Sequence, residues 1–181
     1  MSKTVLTACR VPWAVSPTTS GLVLTHSESD VEPTASIVLG AGRLRDDDLT
    51  DDRRVEITFG GCFFSRFGSK SDDHGIESVG YDVDEPFPYD PANYRELRAR
   101  IWRETGFCPD PDFYEARRSE WLATLPQWFQ HGYHHYVVAG RDSFVEVIAS
   151  RYRWREWIWS TGDRESSPAC GPVVGEGEST A

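Results

Sequence analysis

The chain has 181 residues, with 29 acidic against 19 basic side chains and a formal charge of −10. That size suits one domain with loose ends, and 39% hydrophobic with 13% aromatic residues is enough for a packed core, so wholesale disorder is excluded. A field of this sign opposes nucleic-acid backbones and anionic membranes, and no run approaches the ~20 apolar residues of a spanning helix.

The apolar resource is aromatic, with seven Trp, seven Tyr and nine Phe against one Met, which favours sheet over helical bundle. Cys9, Cys62, Cys108 and Cys170 form no CxxC pair, so zinc-ribbon and thioredoxin signatures are absent and reduced thiols in a cytoplasm are expected. Leu6-Thr7-Ala8-Cys9 matches a lipoprotein cleavage box, but too little chain precedes it to hold a signal-peptide apolar core.

In chain order, residues 1–33 read as a partly ordered N-terminal arm, with Gly21 to Thr25 as a short strand. A single β-rich domain is expected over 34–160. Ala35 to Leu39 opens it as a strand, and the aspartate- and arginine-rich stretch 43–54 reads as an exposed loop. Val55, Ile57 and Phe59 alternate with Arg54, Glu56 and Thr58, the pattern of an antiparallel strand with one wet face. Gly60-Gly61 then marks a bulge or sharp bend. Gly68 to Gly75 reads as a turn, and Ile76 to Val83 as a returning strand stopped by Pro86 and Pro88.

A helix follows, with Asp90 as cap, Pro91 at the first position, Tyr94, Leu97 and Ile101 on one face, and Gly106 as C-terminal stop. It is expected to lie across the sheet. Phe113 to Leu122 reads as a strand, with a helix over 113–123 as the rival. Thr124 to Gly132 is a loop or helical turn. Tyr133 to Ala139 and Ser143 to about Trp159 form a long hairpin closed at Gly140-Arg141-Asp142. Residues 161–181 read as a disordered acidic tail. The expected fold is α+β, mainly antiparallel β: a curved sheet or small barrel with one packed α-helix.

The closing hairpin carries the sharpest expectation. Between Phe144 and Ala149 both strand faces are apolar except at Glu146, so this carboxylate is buried and needs a partner. A turn centred on Gly140-Arg141 places residue 135 opposite 146. A turn centred on Arg141-Asp142 pairs 135 with 148 and leaves His135 and Glu146 as diagonal neighbours. Both registers keep the two together. The functional reading is a His135–Glu146 acid–base dyad facing a cavity walled by Tyr114, Tyr133, Tyr136, Trp121 and Trp154. Its rival is a satisfied polar pair that fixes strand register.

Other chemistry has little support. His134 and His135 point to opposite faces, so no metal site is expected. Cys108 lies past a helix C-terminus, where the dipole disfavours a thiolate. No GxGxxG or Walker-type loop is present, so no cofactor is expected. The Arg- and Trp-rich run 151–159 could stack on single-stranded nucleic acid, but the net charge opposes that. Two functions stay open. One is a cytoplasmic protein that binds a hydrophobic or aromatic small molecule in a barrel-like fold, with cofactor-free acid–base chemistry of isomerase, dehydratase or cyclase type. The other is an acidic binding protein that neutralises a basic protein partner, as immunity or inhibitor proteins do. Nucleic acid and membrane are not expected as partners; a homodimer is compatible with either reading.

Overall fold

The computed structural model describes residues 3–17, 21–28, 31–45, 50–70, 76–84, 90, 92–158 and 173–179. Among these, the strands in chain order are β1 (Val5–Ala8), β2 (Ala14–Val15), β3 (Val23–Ser27), β4 (Thr34–Leu44), β5 (Thr50–Gly60) and β6 (Phe64–Ser69). They continue with β7 (Asp82–Val83), β8 (Phe113–Arg117), β9 (His134–Ala139), β10 (Ser143–Ala149), β11 (Arg151–Ile158) and β12 (Val173–Ser179). The helices are α1 (Tyr94–Thr105), α2 (Glu120–Ala123) and α3 (Gln127–Gln130).

The strands make two six-stranded sheets. The first runs β6-β10-β9-β8-β1-β7. The second runs β12-β11-β5-β4-β2, with β3 also beside β4. Every pairing described is antiparallel except β1 with β7. No closed barrel forms among the described residues; the sheets pack face to face. Period-two alternation supplies the shared core. Ile37, Leu39, Val55, Ile57 and Phe59 from the second sheet meet Phe113, Tyr136, Val138, Val145 and Val147 from the first around Trp13. Each such buried side chain contributes about 1.5–3 kcal/mol of transfer free energy.

The two sheets are joined at a corner. β5 ends at Gly60 and the chain re-emerges as β6 in the other sheet; β10 ends at Ala149 and re-emerges as β11. The crossings lie against each other, because the Ser150 N–H and its hydroxyl both donate to the Gly60 carbonyl at 3.0 Å. Gly61 has φ +62°, and a Cβ there would come within 2.7 Å of Ser150 Oγ, so the glycine is required twice over. The bend expected at Gly60-Gly61 is therefore present. The single arm expected from Ser143 to Trp159 is instead two strands in different sheets.

Other expectations are corrected. Ile76–Val79 is a 3₁₀ turn, and only Asp82–Val83 of the expected returning strand pairs, in parallel with β1. The 113–122 segment is strand through Arg117, then breaks at Arg118 (φ 54°) into α2. The N-terminal arm is integral, with β1 inside the first sheet and β2 in the second. The tail expected to be disordered carries β12 along β11; residues 161–172, 180 and 181 lie outside the described residues. Helix α1 starts at Asn93 rather than Asp90, whose carboxylate accepts from Ala92 N–H at 3.0 Å and Asn93 Nδ2 at 2.7 Å; Pro91 lies outside the described residues. Gly106 closes it as expected, with φ 74°. The helix docks by Trp102 against Ala14, Cys108 and Leu44, at the margin of the second sheet and not across it. No described helix is long and apolar enough to cross a membrane.

Candidate functional site

Strand β10 places Val145, Val147 and Ala149 in the inter-sheet core and Phe144 and Glu146 on the opposite face of the first sheet. That face is dry too, because Ile76, Tyr81, Leu6 and Tyr114 pack over Val137, Ala139 and Phe144. The hairpin turns at Arg141-Asp142, closed by Gly140 N–H donating to the Ser143 carbonyl at 2.8 Å. Phe144 pairs with Ala139, Glu146 with Val137 and Ile148 with His135. His135 and Glu146 are thus diagonal neighbours, the second of the two expected registers.

Both side chains are buried, His135 at 1% and Glu146 at 2% exposure. His135 Nε2 lies 3.1 Å from Glu146 Oε1, and His135 Nδ1 lies 2.7 Å from Ser119 Oγ. Ser119 caps α2 by accepting from Leu122 N–H at 3.0 Å. Its hydroxyl proton is thereby directed to Nδ1, and the imidazole is assigned as the tautomer that donates from Nε2 to Glu146. Arg66, the register partner of Glu146 on β6, donates from Nη2 to Oε1 at 2.7 Å and from Nε to Oε2. The Tyr81 hydroxyl also donates to Oε1. Arg66 stacks 4.2 Å over the Trp121 ring, whose edge meets His135 at 5.2 Å.

Burial acts to raise the Glu146 carboxyl, but hydrogen bonds from His135, Arg66 and Tyr81 outweigh it and bring it from 4.5 down to about 2. Burial first, then the carboxylate, pushes the Tyr81 hydroxyl up. Three donors meet Glu146 Oε1 and one meets Oε2, and both imidazole nitrogens are bonded. The arrangement holds strands β6, β9 and β10 and the α2 turn in one polar knot.

The five expected wall residues do not converge on it. Only Trp121 lies beside the dyad. Tyr136 faces the inter-sheet core against Phe59 (5.5 Å) and Tyr152 (5.3 Å), and Trp154 meets Trp13 there at 6.2 Å. Tyr114 donates to Asp110 Oδ1 at 2.7 Å. Tyr133 joins a surface cluster with Phe63 (5.9 Å) and Phe129 (5.1 Å). His134 turns to the face opposite His135 and bonds Glu115 Oε1 at 2.7 Å.

A second buried carboxylate was not expected. Glu156 is 0% exposed and accepts from Arg43 Nε at 3.1 Å and Arg53 Nη1 at 3.4 Å. Its signal is the same as that of Glu146: it continues the buried face of Tyr152 and Trp154 two residues on. A further polar centre lies beyond the Cys108 loop. Asp110 accepts from the Tyr94 and Tyr114 hydroxyls, while Arg98 donates to the Asp110 carbonyl at 3.0 Å.

The larger of the described clefts is elsewhere. On the outer face of the second sheet a cleft of about 660 Å³ is lined by Thr34, Ser36, Glu56, Thr58, Arg153, Trp154 and Arg155, with the β12 backbone at Gly177. The strand register aligns Ser36, Thr58 and Arg153 in one row and Val38, Glu56 and Arg155 in the next. Ser36 Oγ donates to Thr58 Oγ1 at 3.4 Å. Arg155 is clamped to Glu56 Oε2, from Nε at 2.6 Å and Nη2 at 2.5 Å. Arg153 lies between Thr58 on β5 and Glu178 on β12 in the strand register. Trp154, expected in the wall around His135, lines this cleft instead, and the other lining side chains are polar. No family model, curated protein or solved structure matches the chain.

Proposed function

We propose that this chain is a small-molecule-binding protein whose ligand lies in the polar cleft on the outer face of the second sheet, held by side chains from β4, β5 and β11. The observation that carries the reading is the cleft itself: its volume of about 660 Å³ falls within the usual range for ligand sites, and charged and hydroxyl groups from adjacent strands converge on it. The ligand is polar, because every lining side chain except Trp154 is. Catalysis by His135 and Glu146 is not part of the reading, since both are buried and bonded to each other and to Ser119, Arg66 and Tyr81. A cytoplasmic setting remains part of it, in keeping with the buried free thiols of Cys9, Cys62 and Cys108.

The test is a ¹H–¹⁵N NMR screen of the full chain against polar fragments: sugars, hydroxy acids and small amines. Ligand-induced shifts confined to residues 34–36, 56–58 and 153–155 are expected. Shifts centred on 135 and 146, or none, would overturn the reading.

A second reading, capture of a basic protein, is favoured by one observation. Phe63 (47% exposed) and Trp128 (58%) stand out as an aromatic patch on an acidic chain, backed by Phe129 and Tyr133. Joint replacement of Phe63 and Trp128 by serine would separate the two readings, abolishing capture while leaving ligand-induced shifts intact.

A further inference from the structure

We infer that the outer edge of β11 is a strand-addition site for an extended acidic protein segment with glycine at alternate positions, and that the chain's own C-terminal strand β12 is its resident, displaceable occupant. The inference does not need the cleft to hold a ligand.

Strand β11 pairs with β5 along one edge and with β12 along the other. β12 is the terminal strand of the second sheet. What it covers is a row of backbone N–H and C=O groups that any extended chain can pair with. Residues 159–172 separate the two strands, so no tight hairpin turn enforces their pairing. From Gly175 to Ser179 the strand has no apolar side chain to bury. Its hold is backbone pairing and fit to β11, and a segment supplied by another chain can offer both.

The fit is selective. Gly177 lies opposite Trp154, and a Cβ at 177 would come within 2.5 Å of Cε2 and 2.7 Å of Cζ2 of the indole. The ring is held in place: it is 9% exposed and meets Trp13 edge-on at 6.2 Å. The edge therefore takes glycine, and no other residue without displacement, opposite Trp154. Two residues back, Gly175 lies opposite the buried Glu156, which Arg43 and Arg53 hold. At the positions between, the register sets Glu178 opposite Arg153 and Glu176 opposite Arg155, both arginines being exposed. Opposite charges at directly paired positions favour an acidic segment over a basic one. A slip of one residue would set a glutamate opposite Trp154, so the alternation also fixes the register. A segment with the order Gly-Glu-Gly-Glu, as at 175–178, reproduces the whole pattern.

The test uses full-length protein and a fluorescein-labelled peptide of residues 171–181, titrated by anisotropy at about 0.15 M salt. Gly177→Val in the protein keeps its own tail off the edge and leaves every residue of β11 in place. This variant is expected to bind the wild-type peptide saturably, with amide shifts at 152–156. Wild-type protein should bind it about tenfold more weakly or worse, because its own tail competes at an effective concentration on the order of millimolar. A peptide carrying Gly177→Val, or Glu176→Lys with Glu178→Lys, should lose about tenfold in affinity for the variant protein. Equal affinity of the peptide for both proteins, no binding to the variant, or shifts centred away from β11 would overturn the site. Undiminished binding of the lysine peptide would overturn the acidic class of partner. Hydrogen exchange of the wild-type protein needs no variant: amides of β12 should exchange about tenfold faster or more than those at 55–59 of β5, by local opening. Equal protection of the two strands would overturn displacement.

Discussion

Replacing Glu146 by glutamine keeps the side chain's shape and removes its charge. In the wild type Oε1 takes His135, Tyr81 and Arg66 Nη2, and Oε2 takes Arg66 Nε. A glutamine oxygen can take over the first position, but its amide then points an N–H at Arg66 Nε, donor against donor. Removing one partner of a buried pair destabilises by about 3–5 kcal/mol. Arg66 is half exposed and can turn to water, which moderates the loss to about 2–4 kcal/mol. Proton linkage gives a similar figure, since a buried carboxyl brought from 4.5 to about 2 contributes about 3 kcal/mol near neutrality.

The sign of the pH effect follows. Because the folded carboxyl is depressed, its contribution is complete above 4.5 and is lost as pH falls through about 2. Urea unfolding at neutral pH should show a lower midpoint for Glu146→Gln with an unchanged m-value. Stability of the wild type should fall over this acid window more steeply than that of the variant. A variant within about 0.5 kcal/mol of wild type, or parallel acid limbs, would refute the network's role.

Two further outcomes are expected. Asp112, partly buried and in a left-handed backbone conformation (φ 58°), has its carboxyl raised from 3.8 to about 7, by burial first and then by Asp110, with Glu77 adding to and Arg98 and Lys70 opposing the rise. A raised carboxyl withdraws stability as pH climbs through about 7, so Asp112→Asn, which tolerates the same backbone, should flatten the decline in Tm between pH 5 and pH 8; an unchanged slope would contradict this. Gly61→Ala combines positive-φ strain with a Cβ 2.7 Å from Ser150 Oγ, and should lower Tm by roughly 4–8 °C, with partial recovery on adding Ser150→Gly.

The sequence carried the pairing of His135 with Glu146 because strand periodicity alone decides it. A lone carboxylate on a two-sided apolar strand must be buried, and a tight hairpin brings the facing arm within reach in either register. The same periodicity also reaches Glu156, two residues past Trp154 on the buried face. Arg66, Tyr81 and Ser119 were not legible as partners, because they come from separate elements whose meeting depends on tertiary packing. The crossing at Ser150 was hidden for a similar reason. Both faces of 144–149 are apolar, so the pattern does not mark where the core-facing set passes from Val145, Val147 and Ala149 to Tyr152 and Trp154; the change of sheet is set by the contact of Ser150 with Gly60. Strand β12 was missed because its glycine and glutamate content has no apolar period; it is held by backbone pairing to β11. The cleft could not be foreseen from local pattern, since Ser36, Thr58 and Arg153 align only once three strands are in register.

On the proposed reading two polar systems do separate work: the knot around Glu146 holds the first sheet together, and the cleft above Ser36, Thr58 and Arg153 on the second sheet would take the ligand. The most direct test of that division is the affinity of the Glu146→Gln protein for the polar fragments that move the wild-type cleft amides, measured by titration under conditions where the variant remains folded. Affinity within twofold of wild type is predicted despite the lost stability. A tenfold or greater loss of affinity in the folded variant would contradict it and return the function to His135 and Glu146.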